Sequence, residues 1–340
     1  MTAVRFNRQQ RNPVLSKLLA IIAICATAAV SGCKDPPNSG NAGKSASATH
    51  VNAERPPAVV SRELPAELAG FRAAIENSKL DYIRVKARAG QSVAPWGSKF
   101  RGVPYIPNGS AYPRDPAGKL LVLLAQLNFG EMPRLDGYPA SGLLQFFVSD
   151  GLSKEQVWGS VQYDEKPFNP DRYFSSLQNQ RFFRVIFHSD VLTDKDHLQA
   201  PPVFSSEPML PIMQEAALTF EKHTEPVLID DYRFTNVFAR EPQAFFAQFG
   251  TQETAVANGY IAFSRQWSLA KVGGYASFVQ RDPRSIKPTE DWLLLLEIQS
   301  SNEAGVDILW GDAGVGGLFI RRDDLKKLDF SKVAYYWDNH

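Results

Sequence analysis

The amino-acid sequence predicts an α+β fold, strand-rich, built as two related sheet units from an internal duplication with a few short helices. Three observations carry this. Short apolar runs bounded by turn-forming residues outnumber segments with a helical period. Strands and helices do not alternate along the chain, which argues against a doubly wound parallel sheet. One pattern also occurs twice. Gln126, in the apolar run 123–127, is followed after 20 residues by Phe146 in a second run, and Glu297, in the run 295–298, is followed after 21 residues by Leu318. Each half reads as a strand, a glycine-bearing connection and a second strand, and the two units are expected to pack face to face.

Residues 1–32 read as an export leader rather than as part of the fold. Arg5, Arg8, Arg11 and Lys17 form a basic start without an acid, and the apolar run 18–30 is 13 residues long. That is short of the ~20 residues needed to span ~30 Å of hydrocarbon, but it suits the core of a signal peptide. The run ends in Val30-Ser31-Gly32-Cys33, which resembles the lipobox of bacterial lipoproteins. That resemblance implies cleavage before Cys33 and its acylation. Cys25 would leave with the leader, so the mature chain would hold no free thiol. Removing residues 1–32 takes away four positive charges and no acid, moving the formal charge from +1 to −3. Two or three acyl chains anchor a protein stably where one does not. Lys34 stands where an Asp would resemble an inner-membrane retention signal. The expected location is therefore the cell envelope, lipid-anchored, on the outer membrane facing the periplasm in a Gram-negative host.

Residues 33–63 are the lipidated cysteine and a flexible tether. They hold Pro36, Pro37, Pro56, Pro57, Gly40 and Gly43, and no aromatic occurs between Phe6 and Phe71. Too little apolar surface is present there to offset chain entropy. Residues 64–340 form the folded domain, with 38 of the 39 aromatics. Leu64, Leu68, Phe71 and Ile75 recur at helical spacing and predict an opening helix. The runs 120–127, 143–148, 182–187, 260–263, 292–298, 306–310 and 333–337 predict strands. Pro242 before Phe245, Phe246 and Phe249 predicts a short helix with proline in its first turn. Residues 321–329 predict another, with acids before lysines as a helix dipole favours.

Three blocks of this domain resemble the YwqG-like family, a bacterial domain of unknown function. The first is Gln126-Leu127-Asn128 followed by Gly142, Leu144, Gln145, Phe146 and Phe147. The second runs from Lys271 through Gly273, Gly274 and Tyr275 to Gln280, Asp282, Pro283 and Arg284. The third is residues 308–320, with Trp310, Gly311 and Asp312, then Asp324-Leu325, Asp329-Phe330 and Tyr336-Trp337-Asp338. Asn339 replaces the family's closing cysteine, and Lys99-Phe100-Arg101-Gly102 is a degraded form of its Lys-x-Gly-Gly. The resemblance covers residues 95–340. It implies a β-rich duplicated fold and brings no catalytic residue. Relatives that are chaperones of ribosomal proteins, and others near toxin and immunity genes, make protein binding the expectation it carries.

Charge and motifs narrow the chemistry. Lys plus Arg (37) balances Asp plus Glu (36), so no global field recruits nucleic acid. Two cysteines exclude a disulfide scaffold and a thiolate zinc cluster. The glycines of 311–317 lack the Lys-Ser/Thr of a phosphate loop and precede a strand rather than a helix, so they read as a tight connection. His188, His197, His223 and His340 show no metal-ligand spacing, and no G-x-S-x-G occurs. No cofactor, metal ligand or catalytic residue is assigned. The adjacent acids Asp230-Asp231, Glu290-Asp291 and Asp323-Asp324 leave open an envelope hydrolase acting on cell-wall material, which needs converging carboxylates. A toxin-neutralising immunity protein is a third reading. The leading expectation is a non-enzymatic protein-binding, adaptor or chaperone-like domain with an envelope protein as partner. The signature positions Gln126, Gln145, Gly273, Gly274, Gln280, Arg284, Trp310, Gly311 and Asp312 then serve structure or line a groove.

Overall fold

The period-two pattern of Leu80–Ala89 organises the molecule. Ile83, Val85 and Ala87 are buried while Lys86 and Arg88 are exposed between them, which is how a strand half covered by a core reads. The computed structural model describes residues 63–340 except 152, 154, 162 and 164. Residues 1–62, with the leader, Cys33 and all but the last residue of the tether, lie outside the described residues.

The strands in chain order are β1 (Leu80–Ala89), β2 (Lys99–Phe100), β3 (Val122–Asn128), β4 (Leu143–Val148), β5 (Gln156–Val157), β6 (Ser160–Val161), β7 (Phe183–His188), β8 (Ala216–Glu225), β9 (Ala270–Gly273), β10 (Trp292–Gln299), β11 (Ser301–Glu303), β12 (Val306–Ile308), β13 (Val315–Arg321) and β14 (Ala334–Asp338). Ten of them make one antiparallel sheet in the order β14-β13-β10-β9-β1-β8-β2-β3-β4-β7. β5 with β6, and β11 with β12, form two small hairpins. The fold is strand-rich α+β.

The two echoed strand pairs are β3·β4 and β10·β13, and they lie in a single sheet on either side of β1·β8 rather than in two sheets packed face to face. Each pair carries an irregularity at the same place, between Leu123 and Ala125 in one and between Leu294 and Leu296 in the other. Lys99 stands opposite Gln126, and Lys271 opposite Glu297. The opening strands are exchanged across the middle. β1 pairs with β9 of the C-terminal half, whereas β8 pairs with β2 of the N-terminal half.

The sheet curls until its edges approach. Phe187 stacks on Phe330 at 4.7 Å between centroids, and Tyr335 packs edge-on against Phe146 and Phe183. Gln180 bridges the seam, donating to Phe330 O and accepting from Val185 N. That second bond blunts the free edge of β7, which would otherwise invite another strand. Inside the curl lies the main core, with Val85, Phe146, Leu296, Leu318 and Trp310 among its members.

A smaller helical lobe sits beyond one end of the sheet. It is built from α1 (Arg72–Asn77) with its preceding 3-10 turn, α3 (Arg233–Phe238), α4 (Pro242–Ala247) and α5 (Glu253–Ser264). Leu68, Ile75, Phe234, Phe245, Phe246 and Tyr260 form its core. α2 (Pro170–Leu177) starts on Asn169, whose side chain accepts from Arg172 N, and α6 (Arg322–Lys326) follows β13.

Residues 260–263, expected as a strand, are the last turns of α5. Val256, Ala257, Tyr260 and Ser264 are its buried positions, at helical spacings of one, three and four. The apolar run is the inward stripe of a helix covered by its lobe.

Candidate functional site

In β3, Ala125 and Leu127 enter the core, so Gln126 between them faces the opposite side of the sheet. It is fully buried there and all its hydrogen-bonding capacity is used. Its amide donates to Pro95 O (2.7 Å) and Gly97 O (2.8 Å), and its carbonyl accepts from Tyr105 N and from Gln145. Gln145 in turn donates to Tyr105 O, and its carbonyl lies 3.0 Å from His188 Nε2. Beside them Lys99 Nζ donates to Ala94 O (2.7 Å) and Val103 O (2.8 Å), with no carboxylate in contact. Burial pulls Lys99 down to about 8 against the opposing pull of Glu215 and Glu131, and burial also lowers His188. These side chains tie the 94–105 segment across β2, β3 and β4. Gln126→Leu should therefore leave four buried polar groups short of a partner. At about 1–3 kcal/mol for an unsatisfied group, with part relieved by relaxation, a loss of about 2–3 kcal/mol is expected in urea unfolding. A loss under 1 kcal/mol would show that the amide is replaceable.

On the other side of β1·β8, the matching lysine has an acid. Lys271 Nζ sits 2.9 Å from Glu225 Oε1, both buried, and Glu297 accepts from Ser277 N. Burial disfavours the Lys271 charge, but Glu225 and Glu297 outweigh it and raise its pKa. Gly273 and Gly274 turn the chain here with φ of +77° and +69°. A Cβ on Gly274 would stand 2.4 Å from Glu225 Oε1, so the close approach of this acid requires glycine.

Next to it lies a buried charge cluster. Arg284 Nη2 donates to Asp231 and Asp282 at 2.7 Å each, and its Nε donates to Asp282 at 2.9 Å. Arg233 grips Asp231 with two bonds of 2.8 Å, and the same carboxylate accepts from Ala276 N. The Arg284 guanidinium is sandwiched near the rings of Phe319, Tyr232 and Phe278, at 4.7, 5.1 and 5.6 Å, while its Nη1 has no partner. Burial works against the Asp231 charge, yet Arg233 and Arg284 hold it well below the usual carboxylate range. Burial raises Asp282 despite Arg284.

The C-terminal block is a third buried arrangement. Trp310 packs against Trp158 and Trp337, with centroids 6.0 Å away in both cases. Gly316 lies flat against its indole, where a Cβ would come within 2.5 Å of the ring. Positive φ in the connection is found at Gly311 and Ala313. Gly316 and Gly317 are buried strand residues whose missing side chains make room for rings. Asp312 is exposed, and its carbonyl accepts from His340 N. Gln280 donates to Asn339 O. Asp338, fully inside, accepts from Val279 N and Gln280 N, and burial pushes it up to about 7.

The nine signature positions thus fall into three groups. Gln126 and Gln145 touch each other, Gly273, Gly274 and Arg284 share the charge cluster, and Trp310, Gly311, Asp312 and Gln280 meet at the C-terminus. They do not line one groove. The sequence points to Arg284 and, among the adjacent acids, to Asp231, but it does not join them, and it marks neither Arg233 nor the Lys271–Glu225 pair as a charge site. Only Asp282, two residues from Arg284, stood in a quoted motif.

Five of the six adjacent acids are engaged with cations. Asp230 bonds Arg265, Asp291 bonds Arg322, Asp324 bonds Arg321 and Asp323 bonds Lys326. Asp231 and Asp282 do converge, but around the Arg284 guanidinium in the interior. Among the described residues no group of three or more His, Cys, Asp or Glu comes together to hold a metal ion. No helix of the described residues is long and apolar enough to cross a membrane. In chemical terms the three groups are locks between strands.

Comparison with known families gives a match to a domain of unknown function (DUF1963) over residues 98–339. No curated protein matches the chain.

Proposed function

The chain belongs to the DUF1963 family, and from that premise we propose that it is a YwqG-like envelope lipoprotein whose folded body is a non-enzymatic binding domain for another envelope protein. The leader is removed after Gly32, Cys33 carries the acyl chains, and residues 34–63 hold the domain near the bilayer. With Lys34 after the lipidated cysteine, the outer membrane facing the periplasm is the destination in a Gram-negative host. One observation carries the binding reading. Of the signature's polar side chains, Gln126, Gln145 and Arg284 are buried and closed on neighbouring side chains and backbone, which leaves recognition to the surface, where Gln280 and Asp312 lie.

The two halves descend from one duplicated unit in this reading. The shared position of the bulges and the Lys99–Gln126 and Lys271–Glu297 pairings support it.

Membrane extraction that preserves lipidation, followed by pull-down, is expected to recover one specific envelope protein. Repeated recovery of none would count against the binding role, as would turnover of a cell-wall compound by purified, metal-free protein. In the same cells Cys33→Ser should move the protein to the soluble fraction or leave the precursor uncut. Unchanged membrane association would remove the anchor.

A further inference from the structure

Three arginines line one surface hollow that the proposed function does not use. Arg184 is on β7, the free edge of the sheet. Its neighbours Phe183 and Val185 are buried in the core, which leaves Arg184 facing outward. Arg181 lies in the turn between α2 and β7, its guanidinium over the Phe182 ring at 5.4 Å. Arg114 comes from the turn before β3 and donates to Gly118 O at 2.7 Å. With Asn179, Gln180 and Asp115 they line an open pocket of about 470 Å³.

One carboxylate lines this hollow against three arginines, and it is ion-paired with none of them. Asp115 is the acid present, and its Oδ1 already accepts from Ala117 N and Lys119 N. Elsewhere on the surface Arg172 pairs with Glu165 and Arg322 with Asp291. Among the described residues no ion pair is formed by Arg114, Arg181 or Arg184. The hollow is also braced. Gln180 is bonded on both sides, to Phe330 O and Val185 N, and the Asp115 turn is closed by its own side chain. Holding three like charges in one concavity is unfavourable unless an anion joins them.

We propose that this hollow binds a phosphoryl group. Guanidinium forks match the oxygens of phosphate in pairs. Three forks offer more donors than the two oxygens of a carboxylate can accept, whereas a phosphate monoester brings three oxygens and a charge near −1.5 to −2. Free phosphate and a phospholipid headgroup share this chemistry, and the pocket has room for either. The site does not depend on the lipid anchor or on a protein partner.

Calorimetric titration of the full chain in neutral detergent tests it, with inorganic phosphate, glycerol 1-phosphate as a soluble headgroup, and hexaglutamate as ligands at low salt. Both phosphoryl ligands should bind, and binding should weaken as chloride is raised. Glycerol 1-phosphate tighter than inorganic phosphate by tenfold or more would assign a headgroup; equal affinity would assign the free ion. Arg181→Gln/Arg184→Gln should lower phosphoryl affinity at least tenfold, and its unfolding midpoint in chloride should equal or exceed the parent's. If that variant does not fold, Arg114→Gln, in a surface turn, should lose at least threefold. Absence of phosphoryl binding, unchanged affinity in these variants, or tighter binding of hexaglutamate would each overturn the assignment. The pull-down above would be untouched by any of them.

Discussion

Replacing Arg284 by Met is expected to cost the domain about 3–5 kcal/mol, the range for removing one partner from a buried ion cluster. The methionine can occupy the slot between Phe278, Phe319 and Tyr232, so the loss reports charge rather than cavity. Asp231 keeps both bonds to Arg233, but Asp282 loses its bonded cation and retains the amides of Tyr232 and Arg284. An uncompensated carboxylate in the interior is the costly product. Adding Asp282→Asn to Arg284→Met should restore part of the loss, since the orphaned charge is then gone. Urea unfolding followed by tryptophan fluorescence measures both. A single-variant loss below 1 kcal/mol, or no recovery in the double variant, would mean that the cluster does not act as a unit.

Asp338 should make stability fall as pH rises from 4 to 7. Burial holds its folded pKa at about 7, against 3.8 for an ordinary aspartate. Below pH 3.8 the group is protonated in both states. Between 3.8 and 7 the unfolded chain gives up the proton and the folded one keeps it, so unfolding is increasingly favoured. Above 7 the penalty is complete and constant. At about 1.4 kcal/mol for each unit of difference, the effect is on the order of 3–4 kcal/mol. Asp338→Asn preserves an oxygen to accept from Val279 N and Gln280 N but cannot ionise. Its stability relative to the parent should therefore climb by that amount between pH 4 and pH 8. Parallel curves would show that Asp338 does not titrate in this window.

The parts of the fold that sequence foretold are those whose local pattern is unambiguous. β4 is buried on both faces, and 143–148 reads as an apolar run interrupted by Gln145 alone. The helix at Pro242–Ala247 begins on the proline that pre-sets its first turn. The central strands β1 and β8 were not expected, although their signal exists. Arg84, Lys86 and Arg88 alternate with Val85 and Ala87, and Leu218 and Phe220 alternate with Thr219 and Glu221, because one face of this pair is largely open to solvent. A search for continuous apolar runs passes over such strands. The error at Tyr260 has the opposite origin: four consecutive residues, Tyr260 to Phe263, look strand-like only when the stripe upstream is ignored. For the charge pairs that cross the fold no local pattern exists, since Asp231 and Arg284 are 53 residues apart and Glu225 and Lys271 46 apart. Only the fold brings them together.

The exchanged strands have a consequence for how the chain comes to be folded. β1 pairs with β8 and β9 alone, and side chains bonded diagonally between β1 and β8, such as Lys86 and Glu221, are 135 positions apart. Closing so wide a loop precedes any reward from the contacts it makes. While synthesis is incomplete, the first long strand has no neighbour to add to, and the nascent N-terminal half cannot settle into a finished body. For the exported lipoprotein proposed above, that delay would be useful: folding would begin in earnest only once most of the chain had crossed the membrane.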